Sequence, residues 1–132
     1  MVTNILQDHS KFKQEYLKVI YNLCKKQPRT YVSNSQIATS LNVKPPSVSE
    51  MIAKLKKDGL IEWKKRKGVR LTPEGQRIAI NLIEKYTLVK YIFQKLFKIQ
   101  DEGTLDYLAC NIEHFITDGI VSSLWNTLLQ NE

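Results

Sequence analysis

Between Ser33 and Leu71 the chain carries a run of local signals that leaves few folds open. Ser33 stands three residues before Gln36, ahead of Ile37, Ala38 and Leu41, which is the pattern of a capping box opening a short helix. Asn42 to Lys44 reads as a brief turn. Pro45-Pro46 can begin a helix but not interrupt one; Val48, Met51, Ile52 and Leu55 then repeat at helical spacing, and Gly59 is placed to end the segment. Leu60 to Trp63 and Val69 to Leu71 alternate in character around Lys64-Lys65-Arg66-Lys67-Gly68, and so predict a β-hairpin with a basic tip. Helix, short turn, helix and hairpin, in this order, predict a winged helix-turn-helix.

The flanks are helical. Leu17, Ile20, Tyr21 and Cys24 form one apolar stripe of a helix over roughly Ser10 to Lys26, closed by the turn signal Gln27-Pro28-Arg29. Thr72 before Pro73 supplies an N-cap and a first-turn proline, and no further proline or glycine except Gly75 interrupts the stretch to about Phe97, which predicts one long helix. Gly103 marks the next break, followed by two apolar helices, Leu105 to about Phe115 and Ile120 to about Leu129, around the turn Thr117-Asp118-Gly119. The fold class is therefore mainly α. No apolar run approaches the roughly 20 residues of a membrane span, and the first residues lack a signal-peptide stretch, so a cytoplasmic protein is expected. Cys24 and Cys110 form no disulfide framework and read as a buried thiol or a ligand.

Charge separates the two ends. The formal net charge is +7, but residues 44–70 hold nine basic groups against three acidic ones, while no Lys or Arg occurs from Ile99 to Glu132, where six acidic residues lie. A polyanion would approach one end only. With the apolar stripe of the third helix turned inward, Lys44, Pro46, Ser47, Ser49, Glu50 and Lys54 remain on or beside its outer, N-terminal face, where a recognition helix meets base edges and phosphates. Polar residues on any solvated helix look alike; the capped helix before them and the basic hairpin after them favour double-stranded DNA. Arg66, Lys67 and Arg70 of the hairpin are placed to hold a phosphate backbone. Glu50 repels phosphate, and would serve only at the rim or as an acceptor for a cytosine amino group.

In the acidic tail, Cys110, Glu113 and His114 are spaced so that a helix brings a thiolate, a carboxylate and an imidazole to one face, a set suited to a borderline divalent ion. A buried Cys beside an exposed Glu-His pair is the alternative on spacing alone.

The segment Ser33 to Thr72, with VKPPSVSEMIAKLKKDGLI and GVRLTPEG, together with Ala109-Cys110-Asn111-Ile112-Glu113-His114 and Thr117-Asp118, resembles the DtxR/MntR family of metal-dependent bacterial repressors over nearly the whole chain. The resemblance implies a winged-helix DNA-binding domain over residues 1–75 and a helical dimerisation and metal-binding domain over 76–132, in the short form without the SH3-like domain of some members. It also implies metal ligation by Cys110, Glu113 and His114, with Glu15 of the first helix as a fourth ligand; Asp8 and His9 are further donors nearby in sequence. Cys110 resembles the iron-responsive branch and Glu15 leans toward the manganese branch, so Mn²⁺ and Fe²⁺ both fit. At the family's other metal position this chain has Tyr86, Lys90 and Asp106, which implies that a second ion is absent; on the residues alone, the Lys90 ammonium either partly takes its place or is a solvated lysine.

The resemblance implies a homodimer whose metal fixes the angle between winged helices on an inverted-repeat operator, repressing metal-uptake genes. Ile116, Ile120, Leu124, Trp125 and Leu128 offer the apolar surface for dimerisation. Two other readings remain open: a metal-independent winged-helix regulator with Cys110 as a core or redox-sensing thiol, and a winged-helix adaptor that binds protein. An enzyme is not expected, since no nucleophile-base pairing or phosphate-cradling glycine loop stands out.

Overall fold

The computed structural model describes the backbone of residues 2–26 and 31–130, and the side chains of 11–26 and 31–130. The elements are α1 (Val2–Lys26), α2 (Asn34–Leu41), α3 (Pro45–Lys57), β1 (Ile61–Lys64), β2 (Gly68–Leu71), α4 (Pro73–Lys95), α5 (Glu102–Ile112), a 3₁₀ turn (Glu113–Phe115) and α6 (Asp118–Gln130). They form two compact units, Met1–Asn81 and Leu82–Glu132, and the division falls within α4. Among the described residues no helix is long and apolar enough to cross a membrane.

The first unit follows its local signals closely. Ser33 Oγ accepts from the Gln36 backbone N–H at 3.1 Å while Gln36 Oε1 accepts from the Ser33 N–H at 2.9 Å, so the capping box is complete. Asn42 ends α2 in the left-handed conformation. Pro45 and Pro46 open α3, where the missing N–H groups cost no helical hydrogen bond. Gly59, at φ +75°, ends it: its N–H reaches Lys56 O and the next N–H, of Leu60, reaches back to Leu55 O, both at 3.0 Å. Beneath these elements Leu17, Ile20, Val32, Ile37, Val48, Leu55 and Val69 are fully buried, each worth about 1.5–3 kcal/mol of removal from water. Lys13 Nζ, 2.8 Å from Asp58 Oδ2, adds an exposed tie between α1 and the end of α3.

The hairpin pairs Ile61↔Leu71, Glu62↔Arg70, Trp63↔Val69 and Lys64↔Gly68. Its three-residue loop is closed by the Lys67 N–H on Lys64 O at 3.0 Å, with Arg66 at φ +68° and Gly68 at φ +109°. Thr72 docks the exit of the hairpin: its hydroxyl donates to Gly59 O at 2.8 Å and accepts from the Gly75 N–H at 3.2 Å, capping α4.

Three features depart from the sequence-based expectation. Helix α1 begins at Val2 rather than near Ser10, since no proline or glycine occurs before Gln27; the closing turn Gln27-Pro28-Arg29 itself lies outside the described residues. Gly103 is no break, because Asp101 accepts from the Thr104 N–H at 2.8 Å and caps α5 ahead of it. The helix expected to reach Phe115 tightens to 3₁₀ after Ile112, as Ile116 is extended and Thr117 Oγ1 already accepts from the Ile120 N–H to start α6. Helix α4, from Pro73 to Lys95, is the single long helix that the sequence predicts.

Candidate DNA interface and metal centre

On α3 one face carries the buried Val48, Ile52 and Leu55, while Lys44, Pro46, Ser47, Ser49, Glu50 and Lys54 are all exposed. The expected groove-facing set therefore shares the solvent side of one helix with its N-terminal end, whose partial positive charge favours phosphate. Lys44 precedes the first turn without a side-chain cap, and the Ser47 N–H turns back to Lys44 O at 3.0 Å. At the hairpin, Arg66 and Lys67 are exposed. Arg70 is differently placed: its Nε donates to Glu62 Oε2 at 2.7 Å, and its guanidinium carbon lies 4.9 Å from the ring centre of Tyr31.

In the second unit, α4 and α5 are joined by two polar links. The Tyr86 hydroxyl donates to Asp106 Oδ1 at 2.6 Å, and Lys90 Nζ lies 2.9 Å from Glu102 Oε2. Burial, reinforced by the Asp106 carboxylate, pushes the Tyr86 phenol well above its ordinary range, so it remains a protonated donor. Lys85 Nζ, 3.3 Å from Asp118 Oδ1, links α4 to α6.

The three expected ligands of this unit are not equally placed. Glu113 is fully buried and its Oε1 lies 3.5 Å from Nε2 of His114, whose side chain is 4% exposed. A buried carboxylate is costly unless compensated by positive charge or hydrogen-bond donors. Cys110, one turn earlier on α5, directs its Sγ toward Asp106 Oδ1 at 3.8 Å. The fourth expected ligand, Glu15, is part-buried on α1 in the first unit. The side chains of Asp8 and His9 lie outside the described residues. Cys24 packs part-buried against the core of the first unit, where burial raises its thiol.

Residues 8–69 match the family described as iron dependent repressor, N-terminal DNA binding domain. The HTH-type transcriptional regulator MntR of Oceanobacillus iheyensis is 31% identical over 87% of this chain and 71% of its own length. The chain belongs to the DtxR/MntR family of metal-dependent DNA-binding repressors. An HTH-type transcriptional regulator of Methanocaldococcus jannaschii is 32% identical, over 84% of this chain and 87% of the relative. The solved structure of the manganese regulator SloR is 33% identical with a TM-score of 0.76, over 88% of this chain and 53% of that one. The chain thus spans about half the length of that solved relative.

Tyr31 and Glu62, on either side of Arg70, were not singled out by sequence. The hairpin register alone would have paired Glu62 with Arg70; the strand-like Tyr31-Val32 ahead of the capping box was the unused signal.

Proposed function

We propose that this chain is a metal-responsive repressor that binds an inverted-repeat operator as a homodimer, with Mn²⁺ or Fe²⁺ as corepressor. The observation that carries the metal part is the fully buried Glu113 carboxylate beside the nearly buried His114 imidazole, in a stretch, Ile99 to Glu132, whose sequence holds no Lys or Arg. The donor set fits a divalent ion: Glu113 and His114 with Glu15 and Cys110 supply two carboxylates, an imidazole and a thiolate, which suit Fe²⁺ and Mn²⁺ and leave Zn²⁺ a competitor. A bound ion would offset the buried carboxylate and hold its ligands together. The Tyr86–Asp106 and Lys90–Glu102 links favour one ion per protomer, since side chains on these two helices already satisfy one another without metal.

In this reading Ser47, Ser49, Glu50 and Lys54 face the major groove, Lys44 and the Pro46 turn lie near phosphate, and Arg66 and Lys67 follow the adjacent backbone with Arg70 at the base of the wing. Dimerisation uses α6, which has no buried residue: Ile120 and Trp125 are 41% and 45% exposed, Ile116, Leu124 and Leu128 are half-buried, and Tyr107, Phe115 and Leu129 extend the apolar surface. Action on DNA places the protein in the cytoplasm. The test is substitution of the buried pair: Glu113→Gln and His114→Ala should each abolish the Mn²⁺ or Fe²⁺ response of DNA binding while leaving metal-free binding to mixed-sequence duplex unchanged. A full metal response in both variants would contradict the proposal.

A further inference from the structure

Three stretches of chain lie side by side at the base of the hairpin. Antiparallel register sets Glu62 opposite Arg70. On the other side of β2, the bridge Val32↔Val69 sets the preceding residue, Tyr31, beside Arg70. Arg70 is thus the middle of a row. Its Nε donates to the Glu62 carboxylate at 2.7 Å, its guanidinium lies over the Tyr31 ring at 4.9 Å, and Lys67 Nζ sits 5.8 Å from the centre of the same ring.

We infer that Tyr31, Arg70 and Glu62 form a clasp that fixes the wing to the segment entering α2, so that Arg70 is a positioning residue and Lys67, steadied on the same ring, meets phosphate. The inference rests on the reading that the wing contacts DNA. A two-stranded hairpin is marginal by itself and needs a third segment to hold it at one angle. That segment is Tyr31 to Ser33: Val32 N–H and O each bond to Val69 at 2.8 Å. Gly68 permits the approach, since a Cβ there would lie 2.2 Å from Val32 O. The backbone bridge sets the spacing, and the side-chain row above it sets the twist. Within the row, the Arg70 charge is met by Glu62 and its planar face is covered by Tyr31, an arrangement that matches guanidinium chemistry. A phosphate would have to share the guanidinium with a carboxylate that already offsets its charge. Lys67 has no such carboxylate in the row, is exposed, and holds its ammonium 5.8 Å from the centre of the ring, a contact that limits the conformations open to it.

The experiment measures the salt dependence of binding to a mixed-sequence duplex by the full chain in excess Mn²⁺. Loss of one phosphate contact reduces the slope of log affinity against log salt by about 0.9. Lys67→Gln should show that reduction. Tyr31→Leu and Arg70→Gln should weaken binding by about two- to fivefold, the scale of an exposed cation–π contact, with the slope retained, and Tyr31→Phe should bind as the parent protein does. An Arg70→Gln slope reduced as much as that of Lys67→Gln would overturn the inference. Hydrogen exchange of the free protein separates the clasp from the DNA reading: Tyr31→Leu should deprotect the Val32 and Val69 amides and Tyr31→Phe should not. If Lys67→Gln leaves the slope unchanged while exchange behaves as expected, the clasp stands and the wing's role in DNA binding fails. Unchanged protection in Tyr31→Leu would overturn the clasp itself.

Discussion

Gly68→Ala, set against Gly59→Ala, isolates how much the wing owes to close backbone approach. Both glycines have positive φ, +109° and +75°, so both substitutions incur the strain of an L side chain in that region, about 1–2 kcal/mol. They differ in space. A Cβ on Gly59 meets nothing within 4 Å, whereas one on Gly68 would lie 2.2 Å from Val32 O. The Val32 carbonyl must retreat, and with it go the two 2.8 Å bonds that join Val32 to Val69. At about 0.5–1.5 kcal/mol net for each, Gly68→Ala should cost about 1–3 kcal/mol beyond Gly59→Ala, or about 2–5 kcal/mol in total. That is a large share of the roughly 5–15 kcal/mol that stabilises a domain. Urea unfolding of the two variants followed by circular dichroism measures the difference, and hydrogen exchange at Val69 locates it. Equal destabilisation of the two variants, with Val69 still protected in Gly68→Ala, would refute the reasoning.

Two further outcomes are expected. Trp125→Glu, which places a charge on the exposed apolar face of α6, should shift the protein from dimer to monomer in sedimentation velocity at micromolar concentration without loss of helix content; an unchanged dimer would move the interface elsewhere. At Asp101, the Thr104 hydroxyl and then the Thr104 backbone N–H hold the carboxyl below its ordinary range. A depressed folded pKa contributes stability above the unfolded value and loses it as pH falls through the folded one, so Asp101→Asn should flatten the acid side of the stability profile, and an identical profile would show that the cap carries no pH dependence.

The legible parts of this chain were those whose causes are local. The Ser33–Gln36 capping box, the Pro45-Pro46 start of α3, its end at Gly59 and the basic hairpin each depend on residues a few positions apart, and each formed as expected. What was missed depends on neighbours distant in sequence or on competition between adjacent elements. Spacing puts Cys110, Glu113 and His114 on one helical face, yet the α-helix stops at Ile112 because Thr117 begins the next one, and Glu113 and His114 fall in a 3₁₀ turn. Cys110 turns toward Asp106, which Tyr86 also bonds, and neither partnership could be read from the Cys-x-x-Glu-His spacing. Likewise Arg70, read as a phosphate ligand from its charge and place in the hairpin, is flanked by Glu62 and Tyr31, and Tyr31 enters through a bridge across 37 positions.

The most direct test of the central claim is retention of genomic DNA fragments by metal-stripped protein, with chelator and with added Mn²⁺ or Fe²⁺, followed by sequencing of the retained fragments. The account predicts that metal sharply enriches fragments sharing an inverted repeat. Retention of the same fragments to the same extent in chelator would contradict it, and would leave a winged-helix regulator in which Glu113, His114 and Cys110 serve some purpose other than sensing metal.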